Sequence, residues 1–307
     1  MNLKQAFHLK HEIFTEQAYQ DPTLMPDRYV FILTTKCNLN CPYCYQSRDH
    51  KDTMTKADWI KVLNQLPRYA RVTLTGGEPL VYKDFKDIFA ITAGRFDCNI
   101  ITNGTLLTTD LIDLMLSFTR FKVLSLSIKN EKMMRYFIAQ RNKRKSDAIL
   151  DAKTTVVDDQ DLMSIHKEYM DIGVDTHTLQ LLKGSPIQHS DTMVAFDDIF
   201  KPSKAHVYNE DTKKAIKRLK GQVFMHPKIF INDADHNPKR YKPCKFAFSS
   251  VHINSDGEVF PCLAVSWGNV KRRALKRIIQ SKQALRFKDT IKKQGTVAAC
   301  NRCGWLR

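Results

Sequence analysis

The feature that most limits what this chain can fold into is a regular exchange of short β-rich runs and amphipathic helical stretches between Arg28 and Gly184. Strand patterns fall at Tyr29–Thr34, Arg71–Thr75, Cys98–Thr102, Lys122–Ile128, Ala152–Val157 and Thr176–Leu182. Helical periodicity lies between them, near Lys56–Leu66, Phe85–Ala93, Thr109–Phe118, Glu131–Ile149 and Asp159–Ile172. Strands alternating with helices across short turns specify a parallel sheet with crossover helices. A closed eight-stranded barrel usually needs about 200 residues or more, so the stretch predicts an open α/β fold, a partial (β/α)6 TIM-like barrel.

The pattern then changes. Residues 185–242 hold four of the eleven prolines and one clear helix, with Asp211 as its expected N-cap and Gly221 as its stop. This reads as a connector packed on the barrel. From Pro243 onward comes a small cysteine-bearing module. A hairpin (Val251–Ile253, a turn at Ser255-Asp256-Gly257, Val259–Pro261) precedes one basic helix from Ala274 to Lys293. The expected organisation is an N-terminal extension over 1–27, the barrel over 28–184, the connector over 185–242 and the module over 243–307.

Composition narrows the class. Of the 307 residues, 43% are hydrophobic and 26% charged, which excludes a mostly disordered chain, a fibrous protein and a disulfide-rich mini-protein. No apolar run approaches the ~18–20 residues of a membrane span. Met1 to Phe14 lacks the apolar core of a signal peptide, so a cytoplasmic protein is expected. Lys plus Arg exceed Asp plus Glu by 49 to 32, a formal charge of +17. That surplus favours an anionic partner, such as a nucleotide, a phosphorylated substrate, nucleic acid or an acidic peptide, or simply a Lys-rich solvated surface.

In a reducing compartment, cysteines point first to metal or catalytic roles. Seven of the eight form two clusters. Directly after the first strand, Cys37, Cys41 and Cys44 stand in a C-x3-C-x2-C loop with Tyr43 before the last cysteine. Three thiolates on one loop can hold three irons of a [4Fe–4S] cube and leave the fourth iron open to a substrate or cofactor. Structural zinc wants four ligands, and no fourth Cys or His follows at local spacing. The second cluster is Cys244, Cys262, Cys300 and Cys303, the first two in a C-x12-G-x4-C spacing. Four thiolates close one tetrahedral site, either zinc or a fully ligated [4Fe–4S] cluster.

The loop, together with Gly76-Gly77-Glu78-Pro79 after the second strand and Thr102-Asn103-Gly104 after the third, resembles the radical S-adenosylmethionine (SAM) superfamily over Arg28 to Gly184. The resemblance implies that the open iron chelates the cofactor's methionine moiety. Reduction then cleaves a C–S bond, and the resulting 5′-deoxyadenosyl radical abstracts a substrate hydrogen. It implies further that Gly76, Gly77 and Glu78 receive the methionine amino group, that Tyr43 is the family's aromatic, and that Ser127 contacts the carboxylate or ribose. Relatives often continue the fourth strand with an acid where this chain has Lys129, which puts that acid's role in doubt. A low-potential donor such as flavodoxin or ferredoxin is implied as electron source.

The second cluster resembles the SPASM/twitch extension of such enzymes. With four cysteines it resembles the truncated twitch form, as in the 2-deoxy-scyllo-inosamine dehydrogenases. An auxiliary [4Fe–4S] cluster with all irons ligated fits electron transfer, so the expected reaction is a dehydrogenation with that cluster as acceptor. Alternatives are maturation of a ribosomally made peptide (thioether, carbon–carbon crosslink or epimerisation) and a zinc-binding, basic nucleic-acid partner. The ~27 residues before the first strand are too few for a separate peptide-recognition domain.

Barrel sites lie at the C-terminal ends of strands. In strand six, Leu179 and Leu181 point outward and Gln180 inward, toward the cofactor; the fourth strand's alternation turns Ser125 and Ser127 to the lumen. A dehydrogenation needs a base, for which Lys129, Asp158 and Lys183 are the candidates by position. The lone Cys98 reads as a small buried hydrophobe. The basic C-terminal helix lacks interleaved aromatics and reads as a solvated face, which disfavours nucleic acid, and a small-molecule or peptide substrate is expected.

Overall fold

Within each strand, alternate positions carry the large apolar side chains, and that parity decides which face meets the helices. The computed structural model describes residues 3–44, 53–182, 208–226, 244–261 and 265–295. Helix α1 (Leu3–Gln20) precedes β1 (Arg28–Ile32). The alternation continues as α2 (Lys56–Leu63), β2 (Arg71–Thr75), α3 (Phe85–Arg95), β3 (Asp97–Thr102), α4 (Thr109–Leu116) and β4 (Phe121–Leu126). Then come α5 (Glu131–Lys143), β5 (Ile149–Val156), α6 (Leu162–Ile172), β6 (Thr176–Leu181), α7 (Glu210–Leu219) and β7 (Phe224–His226). The C-terminal part holds α8 (Phe246–Ser249), β8 (Ser250–Ile253), β9 (Glu258–Phe260), β10 (Gly268–Asn269), α9 (Leu275–Ile279) and α10 (Lys282–Gln294).

All the described strands join one sheet in the order β10-β9-β8-β1-β2-β3-β4-β5-β6-β7. From β8 to β7 every pairing is parallel, while β8–β9 and β9–β10 are antiparallel. Tyr29, Phe31, Val72, Leu74, Cys98, Ile100, Leu124, Leu126, Leu150 and Ala152 face the helices in one continuous core. Phe31 stacks on Trp59 of α2 with centroids 4.9 Å apart. The opposite parity (Arg28, Thr73, Asn99, Ser125, Asp151, Lys153, Thr178) lines the concave face. This is the partial (β/α) barrel expected, with a small C-terminal module added to it.

Several expectations change. Helix α5 stops at Lys143, because Lys145 takes a positive φ of 52° and Ile149 already begins β5. The 185–242 stretch is more than a connector: α7 is followed by β7, which pairs parallel with β6 and extends the sheet by a seventh β/α unit. The N-cap of α7 is Asn209, whose side chain accepts from the Thr212 N–H, rather than Asp211. The basic C-terminal helix is two helices, since Ser281 breaks the run and caps α10 by accepting from the Ala284 N–H. The hairpin of β8 and β9 forms as expected.

Helix α1 clamps the barrel to the C-terminal module. His11 Nδ1 lies 2.9 Å from Asp27 Oδ2, which also accepts from Arg71 Nη2 at 3.0 Å. Thr15 donates to Ser249 at 3.0 Å, and Lys245 pairs with Glu16. The carbonyls at the end of α1 and just beyond it draw cations from α10, as a helix C-terminus does. Lys292 donates to Gln20 O, and Lys288 donates to Pro22 O at 2.6 Å. Lys288 is therefore no solvated charge: it is fully buried, 5.4 Å over the Trp267 ring.

Burial pushes the Lys288 ammonium down to about 8, with the Asp21 carboxylate opposing. Unfolded, the side chain holds its proton to 10.5, so the unfolded state binds more protons between those values and stability rises with pH across that window. In urea unfolding, the wild type is expected to gain on the order of 1–3 kcal/mol over Lys288→Met between about pH 7.5 and pH 10. A difference independent of pH would contradict a buried ammonium.

Candidate active site

The site begins where β1 and β2 run on past their ends. Leu33 N–H donates to Thr75 O at 2.8 Å, Gly77 N–H to Thr34 O at 2.7 Å and Glu78 N–H to Lys36 O at 2.8 Å. The Gly-Gly-Glu segment thus lies flat against the approach to the cysteine loop. A Cβ on Gly77 would sit 2.3 Å from Lys36 O and 2.6 Å from Thr35 O, and one on Gly76 would sit 2.6 Å from Thr34 O. Only glycine permits that approach of two backbones.

Cys37, Cys41 and Cys44 follow, each half-buried. The Cys44 N–H donates to Cys41 O at 3.1 Å, which curls the loop. Leu39 N–H points at Cys37 Sγ at 3.4 Å, and Asn103 Nδ2 approaches the same sulfur at 3.9 Å. Among the described residues no three His, Cys, Asp or Glu side chains gather around a point that one metal ion could fill. A cubane takes each thiolate on a different iron, so its ligands stand farther apart than those of one zinc. Three thiols on a loop with N–H groups turned toward sulfur suit such a cluster. Tyr43, 38% exposed, stands beside them.

Glu78 is wholly buried. Its Oε1 accepts from Thr102 Oγ1 at 2.6 Å and from Leu80 N–H at 3.0 Å, and its Oε2 accepts from Asn103 N–H at 2.7 Å. Burial raises its pKa, and the three hydrogen bonds pull it back toward ionisation. The carboxylate thereby braces the ends of β2 and β3. Asn103 completes the brace, since its Nδ2 also donates to Asn38 Oδ1 at 2.9 Å within the cysteine loop.

At the other strand ends the picture is mixed. β4 ends at Leu126, so the alternation that placed Ser127 in the lumen stops one residue early. Ser125 is buried on the inner face and donates to Asp151 at 2.8 Å. Ser127 lies at the exposed rim, its N–H and hydroxyl both directed to Thr102 O at 3.0 and 3.4 Å. Lys129 pairs with Glu168 of α6 at 2.5 Å and is 45% exposed, so it is spent on an outer helix. Asp158 accepts from the Asn209 N–H at 2.9 Å and holds the start of α7. Neither of these two is placed as a free base. Gln180 is half-buried on the inner parity of β6, level with Thr155 and His226. Lys183 lies outside the described residues. Cys98 is buried in the helix-side core, and burial pushes its thiol up, away from any lumen chemistry.

Sequence reading missed Asp151 and Lys153, both on the inner face of β5. The signal was present: they alternate with Leu150 and Ala152, which face the core. Asp151 collects three hydroxyls, from Ser125, Thr176 and Thr178, at 2.7–2.8 Å.

Of the second cluster, Cys244 is described; Cys262, Cys300 and Cys303 lie outside the described residues. Cys244 N–H donates to Gly295 O at 2.9 Å, five positions before Cys300. Phe246, His252 and Phe260 form a column of rings, 6.3 and 5.4 Å apart, which ties the residues after Cys244 to the strand just before Cys262. Asn254 is fully buried, and among the described residues neither of its amide atoms nor the hydroxyl of its neighbour Ser255 finds a hydrogen-bond partner. Orphaned buried polar atoms beside a thiol-bearing module fit a bound group.

A model of the Radical SAM superfamily matches residues 31–193, just over half the chain, and one for an iron–sulfur cluster-binding domain, SPASM, matches residues 244–304. The chain belongs to the radical SAM superfamily, with a C-terminal SPASM/twitch module, and its cofactors are SAM and [4Fe–4S] clusters. It is 33% identical over 101 residues to an S-adenosylmethionine-dependent nucleotide dehydratase of Selenomonas ruminantium, covering 31% of this chain and 36% of that protein. It is 35% identical over 77 residues to the sporulation killing factor maturation protein SkfB of Bacillus subtilis (strain 168), covering 24% and 19%. These matches thus span about a third or less of the relatives' length. In fold it is similar to Streptococcus suis SuiB bound to precursor peptide SuiA, at a TM-score of 0.59 and 15% identity over 96% of this chain and 75% of that one. Among the described residues no helix is long and apolar enough to cross a membrane.

Gly77→Ala forces the Lys36 carbonyl aside and with it the cysteine loop. After anaerobic reconstitution, iron is expected to fall from about eight to about four per chain, because each cube holds four. Gly94→Ala, whose Cβ would meet only Phe118 at 3.9 Å, serves as the control that keeps full loading. Full loading in Gly77→Ala would refute the cradle.

Proposed function

We propose that this chain is a radical SAM oxidoreductase that removes a hydrogen and an electron from its substrate, with the SPASM-type module as acceptor. The observation that carries the reading is the parallel pairing of β8 with β1, Arg28↔Ser250 through Phe31↔Ile253. The strand that delivers the Cys37 loop and the strand that opens the hairpin toward Cys262 are therefore sheet neighbours, roughly 5 Å apart. An electron leaving a substrate in the lumen has an acceptor module along the same sheet edge.

When bound, the cluster of Cys37, Cys41 and Cys44 and SAM supply a 5′-deoxyadenosyl radical that takes up the substrate's hydrogen atom. The chain's own residues position that chemistry. The backbone of Gly76 and Gly77 and the Glu78–Asn103 brace hold the loop. Tyr43, Ser127 and Gln180 border the cofactor's place at the strand ends. Cys244, Cys262, Cys300 and Cys303 would hold the auxiliary cluster, which would supply a one-electron acceptor for the substrate left after loss of a hydrogen atom, while a base would take the proton and a new double bond or crosslink would result. Lys183 is kept as a candidate base; Lys129 and Asp158 serve only once released from Glu168 and Asn209. The net charge of +17 suits an acidic low-potential donor such as flavodoxin or ferredoxin.

A peptide substrate is the second reading. It is favoured by the likeness to SkfB, a maturation protein, and by the fold shared with SuiB, which was solved with its precursor peptide. Thioether and carbon–carbon crosslinking share the oxidation with the first reading, whereas epimerisation is redox-neutral. The test is anaerobic turnover with fractionated small-molecule and peptide extracts, following 5′-deoxyadenosine and product mass. The expected product is lighter than substrate by a pair of hydrogens, and Cys244→Ala is expected to lose it. A product of unchanged mass would replace oxidation by a redox-neutral reaction.

A further inference from the structure

Lys153 is a charge on the concave face of the barrel that the proposed chemistry does not use. Lys153 stands on the inner parity of β5, between Ala152 and Thr154, which face the helices. Its register partner on β6 is Thr178. On the other side, the β4–β5 ladder ends at Leu126↔Ala152, so the next step up places Lys153 level with Ser127. Lys153 therefore lies on the lumen side of β5, three residues before that strand ends at Val156.

Among the described residues its ammonium has no hydrogen-bond or ion-pair partner. The nearest acid on the same face, Asp151, is occupied: Oδ1 accepts from Thr176 and Thr178, and Oδ2 from Ser125. Those bonds turn the carboxylate toward the flanking strands. Across the lumen the facing charge is another cation, Arg28 of β1. The barrel wall desolvates the ammonium and lowers its pKa, with Arg28 adding to the effect and Asp151 opposing it. The side chain keeps partial access to solvent from the lumen. Holding an unpaired cation in such surroundings is unfavourable, and an incoming anion offsets this by supplying the missing charge and acceptors.

We infer that Lys153 anchors an oxyanion of the substrate, a phosphate or a carboxylate, inside the barrel. The inference rests on the lumen being the reaction chamber, and it deepens that reading by naming the group the substrate presents there. Lys129 and Lys183 were the lysines suggested by position in the sequence; Lys153 differs from Lys129 in pointing inward and in lacking an acid partner.

The test uses the reconstituted holoenzyme at about pH 8 with a limiting acetylating ester, following the Lys153 peptide by mass spectrometry. Inorganic pyrophosphate and glutarate are the two probes, at matched ionic strength against chloride. One of them is expected to slow Lys153 acetylation by about tenfold while exposed Lys86 is unaffected. Protection by pyrophosphate assigns a phosphorylated substrate, and protection by glutarate a carboxylate. In equilibrium dialysis, Lys153→Met is expected to lose the protecting anion and Lys153→Arg to retain it. Protection by neither anion overturns the inference, as does protection by SAM alone, which would make Lys153 a cofactor contact. Release of 5′-deoxyadenosine by the wild type in the same preparation tests the radical reading separately.

Discussion

The buried carboxylate of Glu78 is the interaction on which the site depends. Three donors from two different strand ends converge on it, and hydrogen bonds to a charged group contribute about 1.5–3 kcal/mol each. Without them a wholly buried acid would be strongly penalised. With them it locks the exit of β2 to the exit of β3, and Asn103 passes that order on to Cys37 and Asn38. The cysteine loop is therefore held from behind by glycines that let the backbone close in, and from the side by an amide. A loop that must present three thiols at fixed spacing needs both, since loops alone rarely hold a metal site to the required precision.

The same sheet carries the second module. Pairing β8 to β1 joins the C-terminal hairpin to the barrel's sheet, with β8 bonded to β1 on one side and to β9 on the other. Helix α1 seals the junction, with His11 and Asp27 on the barrel side and the Lys288 and Lys292 contacts on the module side. The electron transfer proposed for this chain would demand a fixed distance between its two redox centres. A rigid shared sheet supplies that more reliably than two domains on a linker.

The lumen below is polar and asymmetric. Asp151 is saturated with hydroxyls, whereas Lys153 is left without an acid, so the concave face offers a positive charge to what enters. This sets the chemistry of the chamber apart from the cysteine loop above it. The loop belongs to the superfamily, while the lumen belongs to the substrate.

The order of strands and helices and both cysteine clusters were legible in the sequence, because alternation and cysteine spacing are local properties of a chain. The glycine pair was legible as well, although the backbone it approaches was not. What only the tertiary structure decided are contacts between residues far apart in sequence. β8 lies against β1 rather than apart, β7 extends the sheet beyond six strands, and Glu78 braces the ends of β2 and β3. Lys129 and Lys153 are both lysines on or near inner-facing strands, and sequence position favoured the first. The early end of β4 sent Lys129 out to Glu168, and the longer β5 carried Lys153 inward. Alternation tells which face a residue takes only while the strand lasts, and where a strand ends is set by its neighbours in the sheet.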